Sequence, residues 1–141
     1  MKIRICLVAA MVMAFLPTIV RAADEVEPPK VHKQGGSTYV SGGYDPAERK
    51  AMFKIANKFP IQLIFEIEGH DLDMKGVKVT LTDQSGNSVI EAVSDGPYFY
   101  MNPPAGGRFT IDAEYQGEKQ SMTKDLVGRR YLVLEYKFHS K

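Results

Sequence analysis

Ile61-Gln62-Leu63-Ile64-Phe65-Glu66-Ile67 is the stretch that decides the fold. Ile61, Leu63, Phe65 and Ile67 alternate with Gln62, Glu66 and Glu68, and only Ile64 breaks the pattern. A period of two puts one apolar row on one face of a strand. The same period recurs downstream. Val77, Val79 and Leu81 alternate with Lys78, Thr80 and Thr82, and Asp83-Gln84-Ser85-Gly86-Asn87 reads as a turn before Val89-Ile90. Asp95-Gly96-Pro97 turns into Tyr98-Phe99-Tyr100-Met101, and Asn102 to Gly107 is an irregular connection. Phe109, Ile111, Ala113 and Tyr115 alternate again, and Gln116-Gly117 resembles a tight hairpin turn into Lys119 to Leu126. The last run, Tyr131 to Phe138, is apolar on nearly both faces and predicts a central, covered strand. Six or seven strands at this spacing predict an all-β antiparallel sandwich over residues 61–141.

Upstream of Ile61 the period becomes helical. Asp45-Pro46-Ala47-Glu48 is a helix start, with a capping carboxylate, proline at the first position and an acid three residues after the cap. Ala51, Met52, Ile55, Ala56 and Phe59 follow on one face, and Pro60 ends the run, so residues 44–60 are predicted as one amphipathic helix. Its other face carries Arg49, Lys50, Phe53, Lys54 and Lys58, a cationic face with an aromatic in it that could touch an anionic partner or lipid headgroups and is read as a solvated face with one partly exposed ring. Residues 23–43 are poor in apolar side chains and are expected to be a flexible tail, with Thr38-Tyr39-Val40 able to add a short edge strand.

Residues 1–22 read as an address. Lys2 and Arg4 precede an apolar stretch from Ile5 to Val20, and Val20-Arg21-Ala22 fits a cut after Ala22. The stretch is shorter than the ~20 residues a spanning helix needs, so the expectation is a cleaved secretory signal, a periplasmic or secreted chain and no transmembrane segment in the mature chain. Cleavage would leave 119 of the 141 residues. Lys2, Arg4 and Arg21 would go with the leader, leaving 15 basic against 17 acidic side chains. Cys6, the only cysteine, would go too, which excludes disulfides, thiol nucleophiles and thiolate metal sites. The charge balance argues against a nucleic-acid partner. A hydrophobic share of 44% is ordinary for a globular chain.

From Gly76 to Ile111 the sequence resembles the carboxypeptidase regulatory-like domains, small transthyretin-like (prealbumin-like) β-sandwiches. Val77-Lys78-Val79-Thr80-Leu81 matches their valine-rich strand, Asp83-Gln84-Ser85-Gly86 the turn, and Val89 the opening of the next strand. Gly96-Pro97-Tyr98-Phe99-Tyr100 matches the aromatic strand, Pro104-Ala105-Gly106 the next turn and Phe109-Thr110-Ile111 the strand after it. Gly107-Arg108 adds a residue to the usual spacing. With Ser41-Gly42-Gly43 and the charged helix, the chain also resembles a group of small exported bacterial proteins that carry this domain. The resemblance implies a fold and brings no activity with it.

The chemistry-bearing residues are few. His32, His70 and His139 lie far apart, and no pair has metal-ligand spacing; His70-Asp71-Leu72-Asp73 groups possible ligands in one loop without a calcium-loop pattern. No metal or other cofactor is expected. Ser85 and Ser94 sit in turn sequences, and no Gly-x-Ser-x-Gly elbow is present. Glu66 and Glu68 share a strand face. Transthyretin-like hydrolases have a Tyr-Arg-Gly-Ser ending, which Tyr136-Lys137-Phe138-His139-Ser140-Lys141 does not match. The most unusual feature is the aromatic strand. If Phe99 and Met101 face the core, Tyr98 and Tyr100 stand outside beside Asp95 and Asn102, a row able to stack on a sugar or grip a peptide, unless a helix covers it. The expectation is a non-enzymatic binding or accessory module for an envelope protein or glycan, acting through that row or through a sheet edge. The alternatives are a small hydrolase and a structural protein without a ligand.

Overall fold

The computed structural model describes residues 25–70, 74–128 and 130–139. The predicted leader, Cys6, Asp71 and Asp73 lie outside them. The described chain is mostly strand, in two sheets, with one short helix. Sheet A orders its strands β1 (His32–Gln34), β2 (Ser37–Gly42), β6 (Tyr98–Asn102), β3 (Ile61–Ile67) and β9 (Leu132–Phe138). Sheet B orders β5 (Ser88–Val93), β4 (Lys78–Asp83), β7 (Gly107–Tyr115) and β8 (Glu118–Leu126). The alternating rows meet between the sheets as expected: Ile61, Leu63 and Phe65 from β3 share one core with Val79 and Leu81 from β4 and with Phe109 and Ile111 from β7. Tyr136 crosses that core, its hydroxyl donating to the Ile111 carbonyl at 2.9 Å. Among the described residues no helix is long and apolar enough to cross a membrane.

The structure departs from the sequence reading at three points. There are nine strands among the described residues rather than six or seven, because residues 32–42 are not a flexible tail: they form β1 and β2, and β2 pairs with β6 from Thr38↔Asn102 to Gly42↔Tyr98. Ordering there comes from the burial of Val40, the stacking of Tyr39 on Phe99, close approach and hydrogen bonding. The Ser41 hydroxyl donates to the Tyr98 carbonyl and accepts from the Asp95 amide, both at 2.9 Å. Gly96 lies so close to the Gly42 carbonyl that a Cβ would collide with it. Second, β9 is an edge strand, not a central one. Its inward row (Leu134, Tyr136, Phe138) is buried, but Val133 stays 56% exposed. Third, β9 runs parallel to β3, from Ile61↔Leu132 to Ile67↔Phe138, in an otherwise antiparallel pair of sheets. The strand covered on both faces is β6, where Tyr98, Phe99, Tyr100 and Met101 are all buried.

The predicted helix over residues 44–60 appears as α1 (Pro46–Ile55) and a 3-10 turn (Ala56–Lys58). Asp45 caps it by accepting from the Glu48 amide at 2.9 Å. The Glu48 carboxylate reaches back to the Gly43 amide at 2.6 Å. The apolar side of α1 packs on the outer face of sheet A, burying Met52 and, just beyond the turn, Phe59 against Val40, Tyr98 and Tyr100.

Candidate functional site

The four residues singled out in the sequence are not brought together as a ligand surface. Phe99 and Met101 do face the core, which turns Tyr98 and Tyr100 outward, but α1 lies over them. Tyr98 is 5% and Tyr100 2% exposed. The Phe53 ring meets Tyr98 edge-on with centroids 5.3 Å apart, and Phe59 packs beside Tyr100. Burial favours the neutral phenols, raising Tyr98 and pushing Tyr100 up to about 12, with the neighbouring Tyr98 adding to the Tyr100 shift. Asp95 and Asn102 are exposed, one in the turn before β6 and one at its far end. The tyrosine row is packing. The same cover explains Ile64: it sits on the outer face of β3 and packs against this cluster.

The histidines remain apart. His32 stacks on Tyr39 and His70 is exposed. His139 comes within hydrogen-bond reach of a carboxylate, its Nδ1 3.0 Å from Glu118 Oε1, with Glu68 Oε2 at 3.7 Å from Nε2. That contact is the one the hydrolase alternative requires. Glu118 also accepts from the His139 amide and from Gln120, so its oxygens are occupied in holding the end of β9 to β8. The His139 bonds also hold the Glu118 carboxyl below its usual range. Glu66 lies 3.9 Å from Lys137. Among the described residues no group of three or more His, Cys, Asp or Glu could hold a metal ion. A shallow cleft between the β4–β5 turn and the β6–β7 loop is lined by Asp83, Ser85, Pro104 and Arg108. Its charged groups are engaged: Asp83 accepts from the Ser85 and Asn87 amides, and Arg108 forks onto Asp125 at 2.8 and 3.2 Å. The Ser94 hydroxyl likewise accepts from the Val77 amide.

The sheet edges differ from one another, and here the structure shows what the sequence did not. On one side of the sandwich β1 and β5 lie near each other, and Gln34 closes the gap. Its Oε1 accepts from the Glu91 amide at 2.7 Å, and its Nε2 donates to the Glu91 carbonyl at 2.8 Å, taking the place of a strand neighbour. On the other side Gln120 donates to the Lys137 carbonyl and Glu118 accepts from the His139 amide, which guards only the end of β9.

The rest of β9 is open. The Leu132 amide bonds to Pro60 and the Phe138 carbonyl to Glu68, so the even-numbered residues of β9 face β3 and the odd-numbered ones face away. Among the described residues β3 is the one strand neighbour of β9, and the outward backbone groups of Val133 and Glu135 meet no strand. Exposed apolar side chains surround this edge: Val133 itself, Tyr131 at 56% and Val127 at 68% exposure. The Tyr131 hydroxyl, bonded to the Asn57 carbonyl at 3.0 Å, fixes the approach to the strand. No family model matches the sequence, and no curated protein matches it either.

Proposed function

We propose that the chain is an exported, non-enzymatic binding module, a transthyretin-like sandwich of the carboxypeptidase regulatory-like type, that accepts an extended segment of an envelope protein along the open half of β9. The observation that carries this reading is the contrast between edges: β5 has its outward backbone groups at Glu91 paired by Gln34, while β9, among the described residues, offers Val133 and Glu135 without a strand partner beside exposed apolar side chains. An added strand would pair its backbone with these groups and set its side chains against Tyr131, Val133 and Glu135. Burial of Tyr98 and Tyr100 removes the aromatic row on which a sugar could stack, which favours a protein segment at the sheet edge. Support for the fold type is that the motif from Gly76 to Ile111 falls segment by segment on β4, its turn, β5, β6, the following loop and β7. The leader-like sequence pattern of residues 1–22 supports export.

The test uses Val133→Pro. The Val133 amide points away from β3, so proline removes an outward donor and leaves the β3 ladder whole. A photo-reactive side chain at Glu135 is expected to crosslink a discrete envelope protein, and Val133→Pro is expected to abolish the product while melting near the parent temperature. A product that persists in Val133→Pro, or the same product from a probe at Glu91 on the guarded edge, overturns the reading.

A further inference from the structure

The outward side of α1 and of the 3-10 turn after it adds little to the fold beyond the Phe53 edge on Tyr98 and the Asn57 carbonyl that holds Tyr131. Lys50, Phe53, Lys54, Asn57 and Lys58 follow one another at i, i+3, i+4, i+7 and i+8, and all five are exposed. Phe53 is 54% exposed, yet its edge rests on Tyr98, so the ring is held in the middle of the stripe rather than folded away. Arg49 lies beside it and donates to the Gly43 carbonyl. The helix's own acids are turned from this face: Asp45 caps the first turn, and Glu48 bonds back to Gly43. Glu25, from the segment before β1, pairs with Lys54 and is the one acid bonded to the stripe among the described residues. Near the start of the helix Lys75 stands 4.9 Å from the centroid of the exposed Tyr44 ring.

We infer that this stripe docks the protein on an anionic lipid bilayer. A helix lying on a sheet presents a convex ridge, here with one protruding ring. Such a ridge matches an extended negative surface with an apolar layer beneath it better than a discrete anion. The ammonium groups take the headgroup level and Phe53 enters the acyl boundary. Attachment is reversible and weakens with salt, because one ring and a few cations fall short of a stable anchor. The inference is independent of the β9 edge.

The protein has no tryptophan, so Phe53→Trp gives a single reporter. With vesicles of phosphatidylcholine and phosphatidylglycerol, its emission should shift to the blue and be quenched by brominated acyl chains. With phosphatidylcholine alone neither change should occur. In sedimentation with the same vesicles, Lys50→Gln, Lys54→Gln and Lys58→Gln together should weaken partition by about a hundredfold. Phe53→Ala alone should weaken it by about tenfold. Lys78→Gln with Lys119→Gln, on the opposite sheet, should leave it unchanged. Retained melting temperatures establish that the variants fold. The inference is overturned by no binding to the anionic vesicles, by equal loss in the opposite-sheet variant, or by binding to a soluble polyanion with none to vesicles.

Discussion

The outer face of sheet A carries Val40, Tyr98 and Tyr100 beneath a helix, whereas the outer face of sheet B carries Thr80, Thr110, Asp112 and Thr123 beneath solvent. On sheet B the polar side chains pair across β7 and β8 in register: Arg108 with Asp125, Thr110 with Thr123 at 3.1 Å, and Asp112 with Ser121. Each face is satisfied by its own means, one by desolvating aromatic rings and one by cross-strand hydrogen bonding. The outer row of a strand therefore reports whether another element covers it.

Removing a ring from the covered face is the strongest way to break this contrast. Tyr100→Ala should cost about 3 kcal/mol or more, measured by denaturant unfolding, because a buried ring leaves a cavity under α1. Next in size is alkaline pH. Burial raises Tyr98, Tyr100 and Tyr136 above the ordinary tyrosine value, Tyr100 to about 12, and Tyr136 is the buried tyrosine in the core. The unfolded chain loses these protons first, so stability holds below pH about 10 and falls as pH rises from there through about 12. Unfolding followed against pH should show that fall, and Tyr100→Phe should remove part of its slope. Asp45→Ala takes the cap from the covering helix and should cost about 1 kcal/mol in the same assay. Thr110→Ala with Thr123→Ala, on the bare face, should change stability by under ~0.5 kcal/mol. If that pair costs as much as Tyr100→Ala, the two faces are not different in kind.

The alternating rows of β3, β4 and β7, the Asp83 and Gln116-Gly117 turns and the Asp45 cap were all legible because each depends on residues close in sequence. What sequence could not supply was long-range placement. Nothing local marks Ser41-Gly42-Gly43 as a segment ordered by a distant turn, and the run from Leu132 to Phe138 reads much the same at an edge as at a centre. The tyrosine row looked like a surface because alternation gives direction without saying what lies above. The two apolar rows of β6, together with Ile64, were the available signal that both faces of sheet A are covered. The open edge arises from strand order, to which periodicity is blind; Val127, Tyr131 and Val133 became informative only once β9 was placed outermost.

The parallel pairing of β3 with β9 has a kinetic consequence. Sheet B is two hairpins, β4 with β5 and β7 with β8, joined through β4 and β7, whereas sheet A, apart from the β1–β2 hairpin, joins Thr38 to Asn102 and Ile61 to Leu132 across long stretches of chain. Closing those loops costs chain entropy before any contact rewards it. The hairpin layer is thus expected to form first and the aromatic layer to condense on it. Until that happens the inward side of β7 lies bare, and this is the interval in which the nascent molecule is most exposed to aggregation.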